Sequence, residues 1–145
     1  MDSEILALEN FLPYRLNRVA ETVSREFSKI YRDRYGLTRP EWRTLATLGQ
    51  FGRLTATAIG AHSAMHKTKV SRAVAELEKR LWLTRISDLA DRRVEHLTLT
   101  KAGEKTYREM VPLARAFEAV MLKRLSEDQR RAISTGLDAL EERLI

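Results

Sequence analysis

Two arginines, Arg92 and Arg93, follow Asp91 in the segment DRRVEHLTLTKAGE at residues 91–104. A guanidinium presents a planar fork of donors that suits carboxylate and phosphate, and an aspartate two residues away can hold that fork in one pose by charge-assisted hydrogen bonds. The residues that follow alternate, Leu97 and Leu99 against His96, Thr98 and Thr100, with the period of two of a half-buried strand. The pattern predicts a hairpin with strands over 83–88 and 94–100 and a basic loop over 89–93. A second cationic group lies just upstream, in KTKVSRAVAELEKRL. There Val70, Val74, Leu77 and Leu81 recur at spacings of 4, 3 and 4, so a helix starting near His66 turns them inward and leaves Thr68, Lys69, Arg72 and Lys79 on its outer side. Such a helix fits the major groove of double-stranded DNA, where base edges are distinguishable, and its N-terminal residues reach them first. An arginine on a thin loop fits the minor groove, whose negative potential is strongest where it is narrow. Thr68, Lys69, Ser71 and Arg72 are therefore the expected major-groove contacts, and Arg93 or Arg92 the minor-groove contact, with Asp91 as its support.

The charge balance agrees. The 145 residues carry a formal net charge of +6, which ranks polyanions ahead of neutral surfaces as partners. From Ser63 to Arg93 there are eight Lys/Arg against four acids, so this one segment supplies +4 of the +6. Cysteine is absent, which excludes disulfides, thiolate metal sites and a thiol redox switch within the chain. His62 and His66 are four apart, but a turn lies between them and no third ligand stands near, so neither a metal site nor a cofactor is expected. No grouping of acid, base and nucleophile suggests an enzyme. The opening MDSE is not a signal sequence and no apolar run approaches the ~18 residues of a membrane span, so a cytoplasmic protein with no membrane partner is expected.

The elements that must hold these residues are mostly helical. Apolar residues at 12, 16, 19, 23, 27 and 30 predict one long helix to about Arg34, with Pro13 in its first turn, Asn10 as N-cap and a short helix over 3–9 before it. YGLTRPE stops and restarts the chain: Gly36 suits a left-handed helix end, and Thr38 and Glu41 have the spacing of a capping box for a helix that runs to about Gly49. A brief helix capped by Thr55 precedes the basic one, separated from it by a tight turn. After Thr100 helix resumes, kinks or breaks near Pro112, and restarts at Ser126, which has capping-box spacing with Gln129. Ile133, Leu137, Leu140 and Leu144 give the last helix an apolar stripe. The order of helix, tight turn, basic helix and hairpin is that of a winged helix-turn-helix, so the fold class is mainly α with a small β-hairpin wing, in a single domain.

The sequence resembles the MarR family of transcriptional regulators over nearly its whole length. DRR followed by LTLTKAG matches the family's wing signature, KTKVSRAVAELEKR its recognition helix, and GLTRPEWRTLATL the helix before the DNA-reading pair. The resemblance implies a DNA-binding lobe over 37–100, dimerisation helices over 4–35 and 101–145, an obligate homodimer, and a dimeric repressor on a palindromic DNA operator. It gives Asp91 and Arg93 the supporting and groove-inserting roles of the wing. Two positions depart from the family pattern. Leu81 stands where the family usually has Gly, and a bulky residue pays roughly 1 kcal/mol in a left-handed cap, so the helix is expected to run on or end differently. His66 stands where an acidic N-cap is common, which weakens the cap and removes a charge that repels phosphate.

Arg18, Arg25 and Arg32 recur every seven residues on the first helix, with Arg15 and Lys29 near. The simpler reading is a solvated face balanced by Glu21 and Glu26; the sharper one is an anion contact. The opening FLPYRL…VSR is similar to family members that control aromatic-acid catabolism, which implies a small aromatic acid or its coenzyme A thioester as effector. Phe11, Tyr14 and Trp42 would supply an apolar slot for the ring, and Arg15 and Arg43 the cations. The competing function is a ligand-independent architectural DNA-binding protein using the same surface. Salt dependence does not separate the two, because both neutralise phosphates, whereas the ratio of specific to random-DNA affinity does.

Overall fold

A computed structural model describes residues 4–145. A turn of 3₁₀ helix at Leu8–Asn10 leads into α1 (Leu12–Tyr35), followed by α2 (Arg39–Phe51), β1 (Arg53–Leu54), α3 (Ala56–Ser63), α4 (Lys67–Lys79), β2 (Leu83–Ser87), β3 (Glu95–Leu99), α5 (Lys101–Lys123) and α6 (Glu127–Leu144). The chain divides into two compact units, one extending to Met110 and the other comprising Val111–Ile145.

In the first unit local signals set most boundaries. The short helix expected over 3–9 is only the 3₁₀ turn, residue 3 lying outside the described residues, and Asn10 does not cap α1. It belongs to the turn, its N–H donating to Ala7 O at 3.0 Å, and Phe11 takes the N-cap position in extended backbone. Pro13 sits in the first helical turn, where no N–H is needed. α1 ends at Gly36, whose φ of +64° is costly for other residues and whose N–H donates to Arg32 O at 2.8 Å. Thr38 and Glu41 form the capping box reciprocally, and α2 runs two residues past Gly49 to Phe51.

The hairpin is part of a three-stranded antiparallel sheet in the order β1-β3-β2. Leu54 pairs with Leu97 and Leu83 with Leu99, which puts these apolar side chains on one face. Leu83 and Leu97 close over a core of Tyr31, Leu37, Leu45, Leu48, Ile59, Val70, Val74, Leu77 and Met110. Tyr31 stacks on Trp42 with ring centroids 5.8 Å apart, and Phe27 meets both rings edge-on.

The end of α4 differs from expectation. Leu81 does not continue the buried seam of Val70, Val74 and Leu77; it is 74% exposed. Nor does the helix avoid the left-handed cap: Leu81 adopts φ +64°, its N–H donates to Glu78 O at 2.9 Å, and the Trp82 N–H donates to Leu77 O at 3.0 Å. These two bonds are a Schellman closure with leucine in the glycine position. Thr100 holds it from outside, its Oγ1 donating to Leu81 O at 2.7 Å while accepting the Gly103 N–H at 3.1 Å, so one hydroxyl both closes α4 and caps α5. Because the Leu81 side chain makes little burial, Leu81→Gly is expected to raise unfolding stability by about 1 kcal/mol, measured by urea denaturation, with no change in DNA affinity. A lower stability would show that the leucine stem contributes more than its backbone costs.

LTLTKAG owes its glycine to sterics. A Cβ built on Gly103 would lie 2.1 Å from the carbonyl oxygen of Trp82. Of the kink or break expected near Pro112, the break does not occur: helix is continuous from Lys101 to Lys123 with the proline inside it. Proline removes one helical N–H, and Pro112 is exposed, so the missing bond alone does not stop the helix. In the second unit α6 begins with the Ser126–Gln129 capping box, and Ile133, Leu137 and Leu144 are exposed while Leu140 is half-buried.

Candidate nucleic-acid interface

α4 starts from a tight turn. Ala64 takes a left-handed φ of +52° and the Met65 N–H donates to Gly60 O at 3.0 Å, so α3 ends and α4 begins within three residues. His66 occupies the N-cap, and its imidazole Nδ1 accepts the Thr68 N–H at 3.4 Å, so the cap is made without a carboxylate. Val70, Ala73, Val74 and Leu77 are buried, which turns Thr68, Lys69, Ser71 and Arg72 to solvent together. Among the described residues Lys69 and Arg72 have no hydrogen-bonded or ion-paired side-chain partner, which leaves both cations available to an incoming anion.

The other end of α4 is anchored by Arg80, which sequence reasoning did not single out. Its Nη1 donates to Tyr35 O at 2.5 Å and its Nη2 to Gly36 O at 2.9 Å, which satisfies carbonyls at the end of α1. Its Nε donates to Glu76 at 3.2 Å, and the guanidinium lies 5.2 Å from the Trp82 ring centroid. Its position at the C-cap of α4 was legible, but its partners at the end of α1 lie more than 40 residues away and left no local signal. Arg80 thereby fixes α4 by the end opposite its exposed basic turn.

The wing carries a chain of carboxylate contacts. Asp88 Oδ1 accepts the N–H groups of Ala90 and Asp91 at 2.8 and 3.0 Å, and its Oδ2 meets His96 Nε2 at 2.8 Å. Asp91 in turn accepts from the Arg93 backbone N–H at 3.1 Å, from Nε at 3.0 Å and from Nη2 at 3.1 Å. The sequence placed Asp91 and Arg93 together, and they are together. The pair does not bury the arginine: its side chain is 90% exposed and the Nη1 amino group stays uncommitted. Arg92 is exposed beside it. Arg93 holds the Asp91 carboxyl below the usual carboxylate range, and the His96 hydrogen bond, followed by the two backbone N–H groups, holds Asp88 at about 2 against an ordinary 3.8.

A depressed carboxylate contributes stability that is fully present above its ordinary value and is lost as pH falls through the folded one. The wing-loop contacts of Asp88 are therefore expected to persist on acidification past pH 4 and to be lost on approaching a midpoint of about 2. The amide proton shifts of Ala90 and Asp91, followed by NMR, report this directly. A midpoint near 3.8 would mean that the carboxylate is not held.

The residues expected around a ligand fall into two groups. Phe11, Tyr14 and Arg15 lie exposed at the start of α1, where Arg18 stacks over the Tyr14 ring at 5.8 Å. Trp42 packs on Phe27 and Tyr31, and Arg43 Nη1 donates to Ser63 O at 3.5 Å. Tyr14 and Phe27 are 13 residues apart on one helix, or about 20 Å at 1.5 Å per residue, so a single chain does not bring the groups together. Of the two acids expected to balance the cationic stripe, Glu26 does so through Lys29, while Glu21 turns mainly to Arg39 of α2. Glu21 accepts both Nη groups of Arg39 at 3.3 Å, which lowers its pKa, and Glu26 pairs with Lys29 at 3.1 Å. Arg32 instead lines a cavity of about 550 Å³ with Arg39, Arg43, His66 and Lys69. Among the described residues no helix is long and apolar enough to cross a membrane.

The sequence model of the MarR family matches residues 35–94, from the end of α1 through the wing loop. The chain is 30% identical to the MarR family transcriptional regulator SPO1453 from Silicibacter pomeroyi, covering 94% of this chain and 99% of that one with a TM-score of 0.79. It is 25% identical over 123 residues to an uncharacterized HTH-type transcriptional regulator of Bacillus subtilis, YwoH, covering 85% of this chain and 88% of that protein. A structure of Bordetella bronchiseptica BpsR, described for the regulation of its DNA binding by 6-hydroxynicotinic acid, matches at 23% identity and a TM-score of 0.74, covering 88% and 98%. With the basic helix, the three-stranded wing and a 30% identical relative matched over almost its full length, the chain belongs to the MarR family, whose members are transcriptional regulators rather than enzymes.

Proposed function

We propose that the chain acts as a homodimer that binds a palindromic DNA operator sequence-specifically and represses transcription from it. One observation carries this reading. A single compact unit presents an exposed basic helix start, Thr68 to Arg72, and a wing arginine that is conformationally held yet 90% exposed. Thr68, Lys69, Ser71 and Arg72 meet the major groove, and Arg93, supported by Asp91 and flanked by Arg92, enters the minor groove. The segments 4–35 and 101–145 supply the dimer contact. In its favour, Leu12, Leu16 and Val19 on α1 and Ile133, Leu137 and Leu144 on α6 are large apolar side chains left exposed. Selection of duplexes from a random pool tests the reading: it expects an inverted repeat with half-sites about 10 base pairs apart, centre to centre. Failure to enrich any sequence favours the architectural alternative.

The cationic cavity beside Lys69 supports a second part of the reading, release from DNA by an anionic aromatic effector or its coenzyme A thioester. BpsR, whose DNA binding is regulated by an aromatic acid, lends it further support. Arg43 lines this cavity and, with Trp42, a neighbouring one, so a carboxylate or phosphate on Arg43 and a ring toward Trp42 is the arrangement we propose. Phe11, Tyr14 and Arg15 of the same chain are too distant to share it. By linkage the effector must bind less tightly to DNA-bound protein, by the same factor of about 5 to 150 by which it weakens DNA binding. Calorimetric titration of benzoate and benzoyl coenzyme A into free and DNA-bound protein measures both, and equal affinities in the two states would exclude them as effectors.

A further inference from the structure

We propose that Asp88 and His96 are positioning residues for Arg93, a clasp at the base of the wing that fixes the guanidinium before DNA arrives. This rests on the reading of Arg93 as the wing contact. The sheet builds the clasp. His96 of β3 lies opposite Ile86 of β2, and Asp88, two residues beyond Ile86, falls on the same face. Ladder pairing continues past β2, with the Asp88 N–H donating to Val94 O at 2.8 Å, so the Asp88 side chain starts from a fixed point. Both its oxygens are then committed. Oδ2 is held by His96 at 2.8 Å, and Oδ1 by the N–H groups of Ala90 and Asp91. Rotation of the carboxylate breaks one set or the other.

The contact to the Asp91 N–H passes the constraint onward. Asp91 O accepts the Val94 N–H at 3.0 Å, which closes the turn, and the Asp91 carboxylate carries three donors of Arg93. The two aspartates therefore form consecutive side-chain-to-backbone turns, and His96 locks the first. Without the clasp, Arg93 keeps its partner Asp91, but the loop carrying both is released. Its ordering is then deferred to the moment of binding and subtracts from affinity.

A double-mutant cycle on the full-length protein tests this, using as probe a duplex selected from a random pool by the wild-type protein. Asp88→Ala is expected to weaken binding about 3- to 10-fold, the scale of ordering one rotamer-rich side chain and its loop, and His96→Leu to do the same. His96→Gln, whose amide donates from a similar position, is expected to restore binding to within about twofold of wild type. The deciding result is the background: Asp88→Ala added to Arg93→Ala is expected to cost less than about twofold more than Arg93→Ala alone. Penalties that multiply, or an Asp88→Ala protein that binds like wild type, overturn the clasp while leaving Arg93 in place. An Arg93→Ala protein that binds like wild type overturns the wing contact itself, and the clasp with it. Should Asp88→Ala fail to fold, the His96 pair carries the same comparison in the Arg93→Ala background.

Discussion

Arg93→Ala is expected to weaken binding of a selected duplex by roughly 5- to 150-fold, the 1 to 3 kcal/mol scale of a direct contact. Its circular dichroism and Tm are expected to stay those of wild type. The reason lies in where the side chain is. It is 90% exposed, and its partner Asp91 is on the same loop, so the pair stabilises the folded chain little. What the pair does is hold Nε and Nη2 on Asp91 and leave Nη1 outward, the arrangement in which an arginine meets a narrow groove with little further ordering. Loss of one phosphate-neutralising cation is also expected to reduce the slope of log K against log salt by about 1. Arg93→Lys is expected to recover the salt slope but not the full affinity, because an ammonium lacks the fork that Asp91 orients. Equal dissociation constants for wild type and Arg93→Ala at matched salt would remove the arginine from the interface.

Gly103→Ala is expected to destabilise the chain by about 3 kcal/mol or more, at the upper end of overpacking effects, measured by urea denaturation. The added Cβ would sit 2.1 Å from Trp82 O and 2.9 Å from its carbonyl carbon, and both are backbone atoms that cannot swing aside. Displacing Trp82 also strains two bonds it shares, its N–H to Leu77 O at 3.0 Å and its carbonyl from the Thr100 N–H at 3.0 Å. The end of α4, the start of β2 and the start of α5 meet at this point, so DNA affinity is expected to fall as well. Gly136 of α6 provides the control. A Cβ there meets nothing within 4 Å, and Gly136→Ala is expected to add up to about 1 kcal/mol from helix propensity. A Gly103→Ala protein as stable as wild type would show that the corner yields easily.

Signals confined to a few consecutive residues were legible in the sequence. The capping boxes of Thr38–Glu41 and Ser126–Gln129, the Gly36 stop and the Asp91–Arg93 pair all lie within one or two turns of chain, and the seam of α1 repeats a spacing of three or four residues. What was not legible depends on partners far away. β1 is two residues long, too short to alternate, and exists because Arg53 and Leu54 pair with Thr98 and Leu97. Leu81 is left-handed because Leu77, Glu78 and Thr100 close around it, which outweighs its own preference. Asp88 and His96 meet only once the register of β2 and β3 is fixed. The aromatic and cationic residues proposed for an effector looked like one set in composition and separate along the length of α1.

The most direct measurement compares the dissociation constants of a selected duplex and a scrambled duplex of equal length at one salt concentration, for wild type, Arg72→Ala and Lys69→Ala. Wild type is expected to prefer the selected duplex by at least about 10³-fold. Arg72→Ala is expected to shrink that ratio and relax preference at one position in each half-site, while Lys69→Ala weakens both duplexes evenly. A wild-type ratio near one, with both variants weakening the two duplexes equally, would show that α4 is a basic surface that does not read sequence.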